Sequence, residues 1–112
     1  MQNTISSDSR MNEREQEILR LAEDYRRPDK FIHKLEKKPD FLPSEKGDFF
    51  LQAGGTLYEH FHYALALITW KRALKYFIRD NNKTAKSKCY GNIGIALESL
   101  GKFKQSDTTR RL

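Results

Sequence analysis

The sequence predicts an all-α fold, and three observations carry that expectation. Valine is absent, and seven Ile and six Thr are the only β-branched residues among 112. Leu, Ala, Lys, Glu, Arg and Gln dominate the rest, and these are the better helix formers. Apolar residues recur at three- and four-residue spacing along successive stretches, which places them on one face of a helix.

The elements follow in order. Residues 1–10 are polar, with Ser6, Ser7 and Ser9 clustered, and are expected to be disordered. From Met11 to about Arg27, Ile18, Leu19, Ala22 and Tyr25 share a helical face, with Asn12 and Glu15 as cap and reciprocal acid. Pro28 ends that helix or starts the next, in which Phe31, Ile32 and Leu35 make one or two amphipathic turns. Pro39 and Pro43 bracket Phe41-Leu42 in a docked linker, so residues 11–43 read as a helical N-terminal extension and linker.

A second regime, residues 44–112, starts at Ser44, an N-cap residue followed by Glu45. Phe49, Phe50, Ala53, Gly54 and Leu57 then define a helix to about Tyr58. Residues 62–79 are the most apolar part of the chain and form the next helix, with Ala66, Trp70, Ala73 and Phe77 in step. Asn81-Asn82 is a helix stop, because Asn tolerates the left-handed conformation. Thr84 to Leu100 is a further helix, and Gly101 stands where a C-terminal glycine cap belongs, with another helix starting at Lys102.

Sliding the chain along itself by 40 residues aligns Phe50 with Tyr90, Ala53 with Ile93, Gly54 with Gly94 and Leu57 with Leu97. A glycine inside a helix costs about 1 kcal/mol against alanine. Two glycines at equivalent places therefore predict that a neighbouring helix passes close to each. This pattern resembles the tetratricopeptide repeat, a helix–turn–helix unit. The first copy supplies Phe50, Ala53, Gly54, Leu57, Ala66, Trp70 and Ala73; the second supplies Tyr90, Ile93, Gly94, Leu97 and Ser106. The likeness spans about residues 47–108 as one and a half repeats, with a period of 40 against a usual period of about 34. The first copy has Phe61 in place of the turn glycine, and the second stops about one turn into its second helix. What the resemblance implies is antiparallel helix–turn–helix packing and a non-catalytic scaffold for protein–protein contact, through a concave groove or an exposed repeat edge. Carried over by position, the groove would include Gln52, Tyr58, Lys88, Asn92 and Glu98. Asn92 and Lys88 match only part of the carboxylate-holding clamp known in the family, since Leu51 and Gly55 stand where further polar residues would be. The implied partner is a protein or peptide, and the incomplete second repeat makes self-association a further expectation.

Charge is unevenly placed. Residues 1–45 carry nine Lys/Arg and ten Asp/Glu, whereas residues 46–112 carry twelve and five, a net of +7. Lys71, Lys75 and Arg79 recur every four residues, with Arg72, Lys83, Lys86 and Lys88 nearby, so nucleic-acid binding through the Lys/Arg of residues 71–88 is the alternative function. No aromatic interleaves with these cations as a base-stacking platform would require.

Chemistry-bearing groups are sparse. His33, His60 and His62 do not share a helical face and show no metal-ligand spacing. Cys89, the single cysteine, sits on a packing face with no base paired to it, and reads as a buried thiol. Gly54-Gly55 lacks any phosphate-loop signature, and the carboxylates scatter among Lys and Arg. No enzyme activity, cofactor or metal is expected. There is no run of about 20 apolar residues and no signal-peptide core in MQNTISSDSR, so no membrane partner is expected and the cytoplasm is the expected compartment.

Overall fold

The computed structural model describes residues 13–24, 27–37 and 45–111, the side chains of 103–111 excepted. The expectations for residues 1–10, the Asn12 cap, Tyr25, the linker around Phe41-Leu42, the Ser44 cap and the side chain of Ser106 lie outside what is described. Among the described residues the fold is all-α, with α1 (Glu13–Asp24), α2 (Pro28–Glu36), α3 (Lys46–Glu59), α4 (Tyr63–Arg79) and α5 (Lys83–Arg111). No strand occurs among these residues.

Pro28 starts α2 rather than ending α1: it occupies the first turn, where its missing N–H leaves no bond unmade. Asp29 stands in that first turn and His33 and Lys34 in the last, the order the helix dipole favours. Phe31, Ile32 and Leu35 are all buried, so this short helix is held by one apolar face.

α3, α4 and α5 form consecutive antiparallel pairs joined by two turns of one design. At the end of α3, the His62 N–H donates to the Leu57 carbonyl (2.9 Å) and the Phe61 N–H to the Tyr58 carbonyl (3.0 Å). At the end of α4, the Asn82 N–H reaches the Phe77 carbonyl (3.0 Å) and the Asn81 N–H the Ile78 carbonyl (3.1 Å). Both are Schellman turns, which require a left-handed residue after the cap. Phe61 (φ 68°) and Asn81 (φ 57°) fill that place. Asn82 then caps α5, its Oδ1 accepting from the Ala85 N–H at 3.1 Å. The expected stop at Asn81-Asn82 is thus present. Phe61, aligned with a turn glycine, adopts the conformation that glycine would supply.

The third expected turn does not form. α5 runs through Gly101 to Arg111, and no glycine among the described residues has a positive φ. A turn at Gly101 is repaid only if the following segment has an apolar face to bury. Residues 102–111 offer Phe103 alone among Lys, Gln, Ser, Asp, Thr and Arg, so continued helical hydrogen bonding prevails.

The core is one cluster built from all five helices, with Phe31, Phe50, Leu57, Ala66, Ala73, Cys89 and Ala96 shielded from solvent. Thr69, the fully buried polar residue among them, satisfies its hydroxyl by donating to the Leu65 carbonyl (2.7 Å). Trp70 donates its Nε1–H to the Leu51 carbonyl at 2.9 Å.

Candidate functional site: an open face on the last helix

The α3–α4 pair is closed by two glycines. A methyl group at Gly54 would run into the Trp70 indole, and one at Gly47 would lie 2.6 Å from the Phe77 ring. These glycines are seven residues apart and share one side of α3, so two aromatic rings of α4 seat directly on its backbone. Phe50 and Leu57, which flank the seats, are fully buried. Gly54 therefore meets the expectation of a close helix.

Gly94 does not. A Cβ there would meet nothing within 4 Å. Its flanking residues, matched by the 40-residue shift to Phe50 and Leu57, are Tyr90 at 57% exposure and Leu97 at 52%. Ser87, matched to Gly47, is exposed as well. Because α5 continues past Gly101, no helix among the described residues returns across this face. Sequence reasoning missed the Gly47–Phe77 seat, although the seven-residue spacing Gly47–Gly54, and its counterpart Ser87–Gly94, was available as a signal.

The residues carried over as a groove separate into three settings. Gln52 is exposed and lines an open hollow of about 750 Å³ with Glu13, Arg14, Ile18 and Phe49. Tyr58 is half-buried, its ring 5.0 Å from Tyr63 and 5.7 Å from Trp70, with its hydroxyl 2.6 Å from Ser99 Oγ. That bond ties α3 directly to α5. Exposed Lys88 and half-buried Asn92 lie one turn apart on α5, while Glu98 is exposed and pairs with Lys102 at 3.7 Å. Only Lys88 and Asn92 are brought together as a free polar pair by position.

The basic set divides too. Lys71 and Lys75 are exposed. Arg72 instead pairs with Glu36 at 2.8 Å, and the Arg79 guanidinium lies 5.0 Å from the Tyr76 ring centre, with Asp80 3.4 Å away. Glu36 is the hub of a cluster that joins α2, α3 and α4. Besides Arg72 it accepts from the Tyr76 hydroxyl (2.7 Å) and Lys46 Nζ (3.3 Å), and Lys46 also reaches the Glu36 carbonyl. Burial alone would raise the Glu36 carboxyl, but hydrogen bonds from Tyr76 and Lys46 and the Arg72 and Lys46 charges outweigh it and hold it below the ordinary value. Burial, followed by the bond to Glu36 and its charge, pushes the Tyr76 hydroxyl up. Cys89 is fully buried, and burial raises its thiol as well.

Among the described residues, no three His, Cys, Asp or Glu side chains gather as a metal site, and no helix is long and apolar enough to cross a membrane. No protein-family model, curated protein or solved structure matches the chain.

Proposed function

We propose that this chain is a non-catalytic helical scaffold of tetratricopeptide-like build that works by protein–protein contact. The observation that supports it most is the contrast between two faces of like sequence. Phe50, Gly54 and Leu57 are covered by α4 within the chain, whereas Tyr90, Gly94 and Leu97 are left uncovered on α5. An apolar strip of that kind on a charged surface favours a macromolecular contact. Lys88 and Asn92, on another side of the same helix, are the polar contacts of a peptide groove in this reading. A reducing, cytoplasmic setting belongs to the proposal and accords with a single buried thiol.

Binding to nucleic acid through the Lys/Arg of residues 71–88 has less support, because Arg72 and Arg79 already have partners and no aromatic interleaves with exposed Lys71, Lys75, Lys83 and Lys88 as a stacking platform. Capture of partners by the tagged chain, with and without nuclease and at two salt concentrations, tests the proposal. A discrete protein retained after nuclease, and lost when Leu97 or Asn92 is replaced, is the expected result. Capture of nucleic acid that weakens steeply with salt, with every protein lost on digestion, would overturn it.

A further inference from the structure

We infer that the open face of α5 is a docking site for one antiparallel amphipathic helix of a partner protein, with an aromatic side chain seated on Gly94. The inference rests on the scaffold reading above and adds the chemistry of the partner.

The chain contains its own template for the complex. On α3, Trp70 seats on Gly54 and Phe77 on Gly47, seven residues away along both helices. On α5 the corresponding small residues are Gly94 and Ser87, with Tyr90 and Leu97 flanking them as Phe50 and Leu57 flank the first pair. The first set is buried in full, and the second is more than half exposed at both flanking residues. An occupant must therefore carry a large ring opposite Gly94 and a second apolar group two turns on, opposite Ser87.

Charge narrows the occupant further. An antiparallel helix with its ring at Gly94 lays its C-terminal turns beside exposed Lys83 and half-buried Lys86. Acidic residues in those turns complement these cations, and the negative end of the helix dipole adds to the attraction. A second copy fits less well: its Trp70 and Phe77 are each 4% exposed within its own core, and its open α5, with Tyr90 and Leu97 seven apart, continues into a stretch of net positive charge that would repel Lys83 and Lys86. The fitting occupant is a partner helix with aromatic and apolar residues seven apart and an acidic C-terminal half.

The test uses a defined probe: a labelled peptide with the sequence of Tyr63–Arg79 carrying Lys75→Glu and Arg79→Glu, titrated against the full chain. Gly94→Ala adds a methyl in open space, so this variant folds at least as well as the parent. The expected result is saturable binding that weakens about tenfold or more in Gly94→Ala and is unchanged in Gly55→Ala, which adds the same methyl in open space on α3. The same peptide with Trp70→Ala is expected to bind weakly to the parent chain. Equal binding to parent and Gly94→Ala would overturn the inference while leaving a scaffold that binds through Lys88 and Asn92. Absence of binding would overturn it too, and the nuclease experiment then judges the scaffold reading separately. A concentration-dependent dimer abolished by Gly94→Ala would also overturn it, by making a second copy the occupant.

Discussion

The indole of Trp70 fills the space that a side chain on Gly54 would take, and its Nε1–H is held by the Leu51 carbonyl at 2.9 Å. One residue thus fixes both the distance and the register between α3 and α4. Trp70→Phe keeps most of the ring but leaves a void and removes the indole hydrogen bond to a carbonyl of the α3 ladder. It is expected to cost about 2 kcal/mol in chemical denaturation, more than removal of a hydrogen bond alone.

The turn residue Phe61 holds a left-handed backbone (φ 68°) while its side chain is 78% exposed, so it gains little from packing. Phe61→Gly removes the steric cost of that conformation, and stability is expected to rise by about 1 kcal/mol. Asn81→Gly, at the matching turn, is expected to gain only a few tenths, since Asn tolerates this region better. Thermal melts of the two variants check the order.

Gly101 lies inside α5 with nothing near its Cβ position. Gly101→Ala is accordingly expected to stabilise the chain by about 1 kcal/mol and to raise helicity by circular dichroism. A glycine serving as a left-handed cap would respond with the opposite sign.

The Glu36 cluster sets a pH window. Because the folded carboxyl titrates below its ordinary value, its contribution is present above the unfolded pKa and is lost as pH falls through the folded one. Tyr76 is raised, so its contribution is present below the unfolded phenol pKa and is lost as pH rises through the folded value. Stability is expected to hold between these limits. Glu36→Gln is expected to cost about 1–2 kcal/mol at neutral pH and progressively less in acid, in denaturant titrations across pH.

Tyr58 and Ser99 bridge α3 and α5 at 2.6 Å. Tyr58→Phe and Ser99→Ala are each expected to cost about 1 kcal/mol, and a double-mutant cycle is expected to show that they do not add. Additivity would mean that the bridge contributes nothing.

What was legible in the sequence was local. The helices at Glu13–Asp24, Tyr63–Arg79 and the first turns of Lys83–Arg111 follow from apolar spacing, and the stop at Asn81-Asn82 follows from backbone tolerance. Phe61 was readable only as an oddity, because its conformation is imposed by the Schellman bonds around it and not by its own preference. In the sequence, the 40-residue shift makes Gly94 a close contact like Gly54, and the place of Gly101 after Leu100 makes it a cap. Yet a glycine permits such features without compelling them, and among the described residues no returning helix uses them. The Glu36 cluster was invisible, since Glu36, Lys46, Arg72 and Tyr76 meet only when three helices are packed. Of the groove that the resemblance implies, Lys88 and Asn92 lie one turn apart on α5, whereas Tyr58 is drawn into packing by Tyr63 and Trp70.

The central claim is that α3 is the covered half of a repeat and that α5 presents the same face uncovered. Equilibrium unfolding of Gly54→Ala beside Gly94→Ala tests it most directly. Gly54→Ala is expected to destabilise by about 2–3 kcal/mol as its methyl displaces the Trp70 ring, and Gly94→Ala to stabilise by about 1 kcal/mol through helix propensity. Opposite signs support an open edge on α5, and destabilisation by both would mean that the Tyr90–Leu97 face is already covered in solution.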